Sequence, residues 1–222
     1  GGEFGYSAGH DAHACLFTRR KEAFDIVGYH GTGTQNAVKH QLGVVPELII
    51  VKQIESGSNG TPWVVYYGDE TDHLHLNTSD ATADLWDYWR DIAPTSSVFT
   101  VNTHNDVNQN NFNFISYLFA TCAGVTKVGT VSVSGATDVD CGFSSGARLL
   151  LIKRYDGSGN WIFSHNASGF PSGNNRYRTL NVSANPVTNA DIIDPLNAGF
   201  TLTSNFTGVA GGNGDYVFLA VA

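Results

Sequence analysis

Methionine is absent from the 222 residues, cysteine occurs three times, and only 14% of positions carry a charge. The cysteines, Cys15, Cys122 and Cys141, are an odd set without metal-ligand spacing. They read as buried free thiols rather than a disulfide framework or a zinc site. Lysine and arginine total 12 against 20 acids, a formal net charge of −8. Such a balance argues against a groove for the phosphate backbone of nucleic acid. The basic cluster Arg19-Arg20-Lys21 reads as a solvated connector. No stretch approaches the roughly 18 apolar residues of a membrane-crossing helix, so no membrane span is expected. With no methionine and an opening on Gly1-Gly2, the sequence reads as a piece of a longer polypeptide. Its last residues, Phe218-Leu-Ala-Val-Ala222, read as a closing strand at the end of that polypeptide.

What is present is turn-rich and apolar: 25 glycines and 41% hydrophobic residues point to an all-β protein. Leu42-Gly-Val-Val-Pro-Glu-Leu-Ile-Ile-Val-Lys52 predicts a strand buried on both faces. Nearly the same pattern returns as Phe143-Ser-Ser-Gly-Ala-Arg-Leu-Leu-Leu-Ile-Lys153, and the lysines lie 153 − 52 = 101 positions apart. Trp161 answers Trp63, Leu180-Asn181 answers Leu76-Asn77, and Phe200-Thr201 answers Phe99-Thr100. The expected fold is two tandem antiparallel β-sandwiches, jelly-roll-like repeats of about 100 residues each. Residues 1–23 form the end of a preceding repeat, 24–124 the first sandwich and 125–222 the second. Thr78–Arg90 is the one place where a helical turn is expected.

Catalytic and metal signatures are thin. Gly142-Phe-Ser-Ser-Gly146 fits the nucleophile elbow, with Ser144 as nucleophile, but a strand rather than a helix is predicted to leave it. Gly31-Thr-Gly33 lacks the third glycine and the helix of a dinucleotide fingerprint and reads as a turn. His10 with His13, and His73 with His75, each offer two metal ligands without an evident third. Asp156-Gly-Ser-Gly-Asn160 reads as a hairpin turn, and Asp138 and Asp140 as acids flanking a strand. No catalytic residue, metal or cofactor is expected. The feature without an echo in the second half is Trp86-Asp87-Tyr88-Trp89. Aromatic faces beside carboxylates suit a sugar, whose apolar face packs on a ring while its hydroxyls bond to acids and amides. These four residues are therefore the candidate glycan site. The asparagines at Asn77, Asn166, Asn181 and Asn205 match a glycosylation pattern common in so Asn-rich a chain.

The succession of Val27-Gly-Tyr29, Gly31-Thr-Gly33, His40 through Lys52, Trp63-Val-Val-Tyr-Tyr67, Leu74 through Ser79, Ala93 through Thr100 and Tyr117-Leu-Phe-Ala120 resembles a β-repeat. It is similar to one found in tandem in tail-fibre and other virion proteins of marine tailed bacteriophages, cyanophages among them. Leu151 through Arg154, Gly159-Asn-Trp161 and Gly199-Phe-Thr201 carry the likeness into the second half. The resemblance implies a non-enzymatic virion protein, the C-terminal part of a tail fibre, spike or similar surface appendage. Implied partners are other virion proteins, further copies of the chain in a homo-oligomer, and a host-surface glycan. It supplies no active residues. Two alternatives stay open: a purely structural capsid or tail decoration protein, and a virion glycan hydrolase drawing its two carboxylates from Asp84, Asp87 and Asp91.

Overall fold

The structure, a computed structural model, describes residues 17–55 and 61–222. Its first half runs β1 (Phe24–His30), β2 (Asn36–Lys39), β3 (Leu48–Gln53), β4 (Val64–Tyr66), β5 (Asp72–His75), β6 (Ala83–Asp84), α1 (Trp86–Trp89), β7 (Val98–Val101), α2 (Asn105–Asn108) and β8 (Asn113–Phe119). The second half runs β9 (Thr126–Val133), β10 (Thr137–Asp140), β11 (Leu149–Arg154), β12 (Ile162–His165), β13 (Asn175–Thr179), β14 (Val187–Ala190), β15 (Ile193–Leu196), β16 (Gly199–Leu202), α3 (Phe206–Ala210) and β17 (Gly214–Val221).

The fold is an all-β sandwich. A large sheet of order β1-β8-β3-β4-β5-β6 faces the small pair β2-β7, and a second large sheet of order β14-β13-β12-β11-β17-β9 faces the small sheet β10-β16-β15. Neighbouring strands pair antiparallel throughout, as in Leu48↔Phe119 for β3 on β8 and Leu151↔Leu219 for β11 on β17. The stretch β1-β8-β3-β4-β5 in one sheet and β9-β17-β11-β12-β13 in the other have the same strand order. Both large sheets also use one local device. The Asn77 side chain accepts from the Trp63 amide at 3.1 Å, and the Asn181 side chain from the Trp161 amide at 2.9 Å.

Strand β3 shows why the apolar runs are continuous. Successive side chains point to opposite faces, so Ile49 and Val51 enter the core of the first sandwich. Leu48 and Ile50 leave by the other face and meet a separate core shared by both halves. That shared core takes Val65, Leu74 and Phe119 from the first half and Val128, Leu151, Trp161, Val217 and Leu219 from the second. A third core, with Leu150, Ile152, Phe200 and Phe218, fills the second sandwich. The layers therefore run small sheet, large sheet, large sheet, small sheet.

Polar bonds reinforce the contact. Trp161 Nε1 donates to the His75 carbonyl at 2.9 Å and the Thr82 amide to the Tyr155 carbonyl at 3.0 Å. The Ser79 carbonyl accepts from Gly159 N at 2.8 Å, Ser158 Oγ at 3.0 Å and Lys153 Nζ at 3.2 Å.

The structure corrects several expectations. Helical turns form at α2 and α3 as well as α1, each delivering apolar side chains, Val107 from α2 and Phe206 and Ala210 from α3, to a sandwich core. Asp138 and Asp140 lie on β10 rather than beside a strand. Arg19 is not a purely solvated connector: its guanidinium meets the buried carboxylate of Asp25 at 2.7 Å. Cys122 is half-buried and Cys141 buried, both free, and burial pushes the Cys141 thiol up to about 11. Cys15 and the His10/His13 pair lie outside the described residues. Among the described residues no helix is long and apolar enough to cross a membrane.

Candidate functional site

Leu85 and Trp86 begin a single helical turn that ends where Arg90 and Asp91 take left-handed backbone, at φ 61° and 52°. A turn of four residues cannot hold itself together by propensity, and this one is bonded on from outside. The Trp86 carbonyl accepts from Asn102 Nδ2 at 3.1 Å, the Tyr88 carbonyl from Asn102 N at 2.7 Å and the Asp87 carbonyl from His104 N at 2.9 Å. At roughly 100° per residue the turn splits its side chains between inside and outside.

The four residues of the candidate glycan site are thus divided. Tyr88 and Trp89 are each only 2% exposed and belong to the first sandwich core. Trp89 Nε1 is committed to the Asp72 carbonyl at 3.0 Å, and the Tyr88 hydroxyl to Asp106 at 3.1 Å. Asp87 is half-buried, and Trp86 is 56% exposed with the Arg90 guanidinium 5.7 Å from its ring centroid. A ligand on this surface meets Trp86 and the margin of Asp87; the Trp89 ring is out of reach.

Beneath the turn lies a group that the sequence showed only in part. The Tyr88 ring is stacked between two imidazoles, His73 at 3.7 Å and His104 at 4.0 Å between centroids, with His75 at 5.1 Å from His73. Strand β5 supplies His73 and His75, while His104 caps α2, its Nδ1 accepting from the Asp106 amide at 3.2 Å. The Asp106 carboxylate lies 3.5 Å from the same nitrogen.

Four buried atoms around the stack, His73 Nδ1, His75 Nε2, Asp87 Oδ1 and Asn102 Oδ1, find no hydrogen-bond partner among the described residues. Burial first, then the neighbouring His75 and His104, holds the His73 imidazole down at about 4. Burial also lowers His75, against the pull of Asp106 and Asp80, and raises the Tyr88 hydroxyl. At neutral pH the His73 ring in this stack is uncharged, and acid would charge it. Among the described residues no group of three or more His, Cys, Asp or Glu is placed to hold a metal. The histidines recognised as a pair act with His104 and Asp106, which the fold brings in from α2. The only sequence signal for them was polar residues between two predicted strands.

The other candidates separate in space. Ser144 is exposed on a turn between glycines of positive φ, and β11 leaves that turn, as expected. Gly31 and Gly33 form a turn pinned to α2. Asn108, fully buried, accepts from Thr32 N at 2.9 Å and donates to the Thr34 and Asn102 carbonyls at 2.6 and 2.7 Å. A Cβ on Gly31 would fall 2.1 Å from the Gln109 carbonyl oxygen, which is why glycine stands there. Asp156 pairs with Arg154 at 2.7 Å, Asp138 accepts from Thr201 at 2.6 Å and Asp140 from the Gly142 amide at 2.8 Å. Asp84 and Asp91 are exposed, one on β6 and one after α1.

Residues 14–222 match a family described as a domain of unknown function, DUF7483, and the chain belongs to that family. Neither the curated proteins nor the solved structures yield a match.

Proposed function

We propose that the chain is a non-catalytic display module of a phage virion appendage and that it meets host-surface glycan through Trp86. The observation that carries the contact is an indole that is 56% exposed although Tyr88 and Trp89, two and three positions further on, are buried at 2% exposure. A ring held rigidly at the surface loses little entropy when a pyranose stacks on it. Asp87 and Arg90 stand beside it to bond hydroxyls. The virion setting is supported by the family-like succession of strands in the sequence. The reading of the halves as two copies of one repeat is supported by their common strand order and by the matching Asn77–Trp63 and Asn181–Trp161 bonds.

Glycan-array binding by the wild type and by Trp86→Ala tests the contact. The expected result is specific binding that the variant loses while its stability stays within about 0.5 kcal/mol, as for a surface substitution. No binding by a well-folded protein would favour the second reading, structural decoration of a capsid or tail. That reading draws on the exposed apolar side chains near Trp86 in the chain, Leu85 at 46% and Ile92 at 39%. There Trp86→Ala would lower the mass of an assembly in solution instead.

A further inference from the structure

Strand β9 is an outer strand of the second large sheet, paired with β17 and with no strand beyond it among the described residues. We infer that this edge is the contact between two copies of the chain, β9 pairing antiparallel with β9 of a second copy across a two-fold axis at Val131. The contact does not rest on the Trp86 reading.

The register fixes which groups are open. Ala222 N donates to the Val125 carbonyl at 3.0 Å. By alternation the odd-numbered residues of β9 therefore bond to β17, and the even-numbered ones turn their amides and carbonyls outward. Thr126 commits its outward groups to Cys122, each bond 3.0 Å, and Val128 commits its own to the Thr121 hydroxyl at 3.2 and 3.3 Å. The outward groups of Thr130 and Ser132, both exposed residues, have no partner among the described residues.

Other edges are guarded in the ways that keep a sheet from growing. On β1, the counterpart of β9 in the first large sheet, Arg19 bonds the outward Ile26 carbonyl and Asp25 the Ile26 amide. Strand β15 contains Pro195, β14 follows Pro186 and holds Asn189 in left-handed backbone at φ 61°, and β6 is only two residues long. From Val128 to Thr137 the β9 edge has neither charge nor proline.

The open residues are complementary to themselves. A copy centred on Val131 sets Thr130 opposite Ser132 of the second copy, so that each amide meets a carbonyl. Val131 then faces Val131 of the second copy in a pair without backbone bonds, the closer kind, where side chains touch. Val131 is half-buried against the second sandwich core, and the contact carries that core across the axis. A two-fold contact closes on itself and stops at a dimer. With a net charge of −8 two copies repel each other, and the uncharged run keeps like charges out of the contact.

The test is sedimentation equilibrium of the full chain from about 10 μM to about 1 mM, a range suited to a small interface, with hydrogen exchange read by NMR at both ends. The mass is expected to rise from 23.8 kDa toward twice that value, and the Thr130 and Ser132 amides to gain protection with it. Thr130→Pro removes an amide that bonds nothing within one copy and should weaken the dimer at least tenfold. Val131→Lys and Val131→Asp should each stay monomeric, because like charges oppose at the axis, and their equimolar mixture should dimerise. Trp86→Ala should dimerise as the wild type does. If the Val131 variants fail to fold, Thr130→Pro and the exchange pattern decide. A monomer at every concentration, a dimer untouched by Thr130→Pro, open-ended growth, unprotected Thr130 and Ser132 amides in the dimer, or a dimer lost in Trp86→Ala would overturn the assignment.

Discussion

Acid should weaken this protein through His73. The imidazole is 3% exposed, lies 3.7 Å from the Tyr88 ring and is faced by His75 and His104, with only the Ala83 backbone favouring its charged form. Its pKa is therefore held at about 4 in the folded protein, against about 6.5 in an unfolded chain. The folded state binds the proton less readily than the unfolded one, so stability is full above pH 6.5 and falls as the pH drops toward 4. Linkage gives a loss of about 2 kcal/mol by pH 5 and about 3 kcal/mol by pH 4. For a chain of this size about 2 kcal/mol lowers the Tm by about 4–8 °C. Urea unfolding at pH 7.5, 6.5, 5.5 and 5.0 should be compared between wild type and His73→Phe, which keeps a ring in the stack and removes the proton. The wild type is expected to lose about 2 kcal/mol more than the variant between pH 7.5 and 5. Equal losses, or an NMR titration placing the His73 pKa at or above 6.5, would refute the reasoning.

Two further outcomes follow from the contact between the sandwiches. Trp161→Ala removes a ring that is 1% exposed and its bond to the His75 carbonyl, and should cost about 3–5 kcal/mol in chemical denaturation. Lys153 is fully buried, and burial drops its amine to about 8. Its folded pKa lies below the unfolded value, so wild-type stability should rise with pH between 8 and about 10.4. Lys153→Met should raise the Tm at pH 7 and abolish that rise, because Gly159 N and Ser158 Oγ still satisfy the Ser79 carbonyl.

The central strands were legible because four apolar residues between turn signals suffice to mark β3 and β11. Their double burial was legible too, but not its cause: alternation says that both faces are covered and is silent on what covers them. The short outer strands escaped because each buries so little. In β2 only Val38 is buried, and in β10 only Val139. Trp86 through Trp89 look like one aromatic cluster in the sequence, and a helical turn divides them into one exposed ring and two core rings. His104 and Asp106 lie about 30 positions from His73, so only the fold makes them neighbours.

The core shared by the two large sheets also decides how the molecule can be dissected. A cut in the short link near Cys122 and Thr126 would not release two domains. Each fragment would carry one face of an apolar sheet, Leu48, Ile50, Val65 and Leu74 on one side, Leu151, Trp161, Val217 and Leu219 on the other. Such faces aggregate in water. Boundaries drawn from the sequence period alone would therefore yield insoluble halves, whereas co-expressed fragments should find each other and reconstitute. Through that shared core the two large sheets depend on each other for burial.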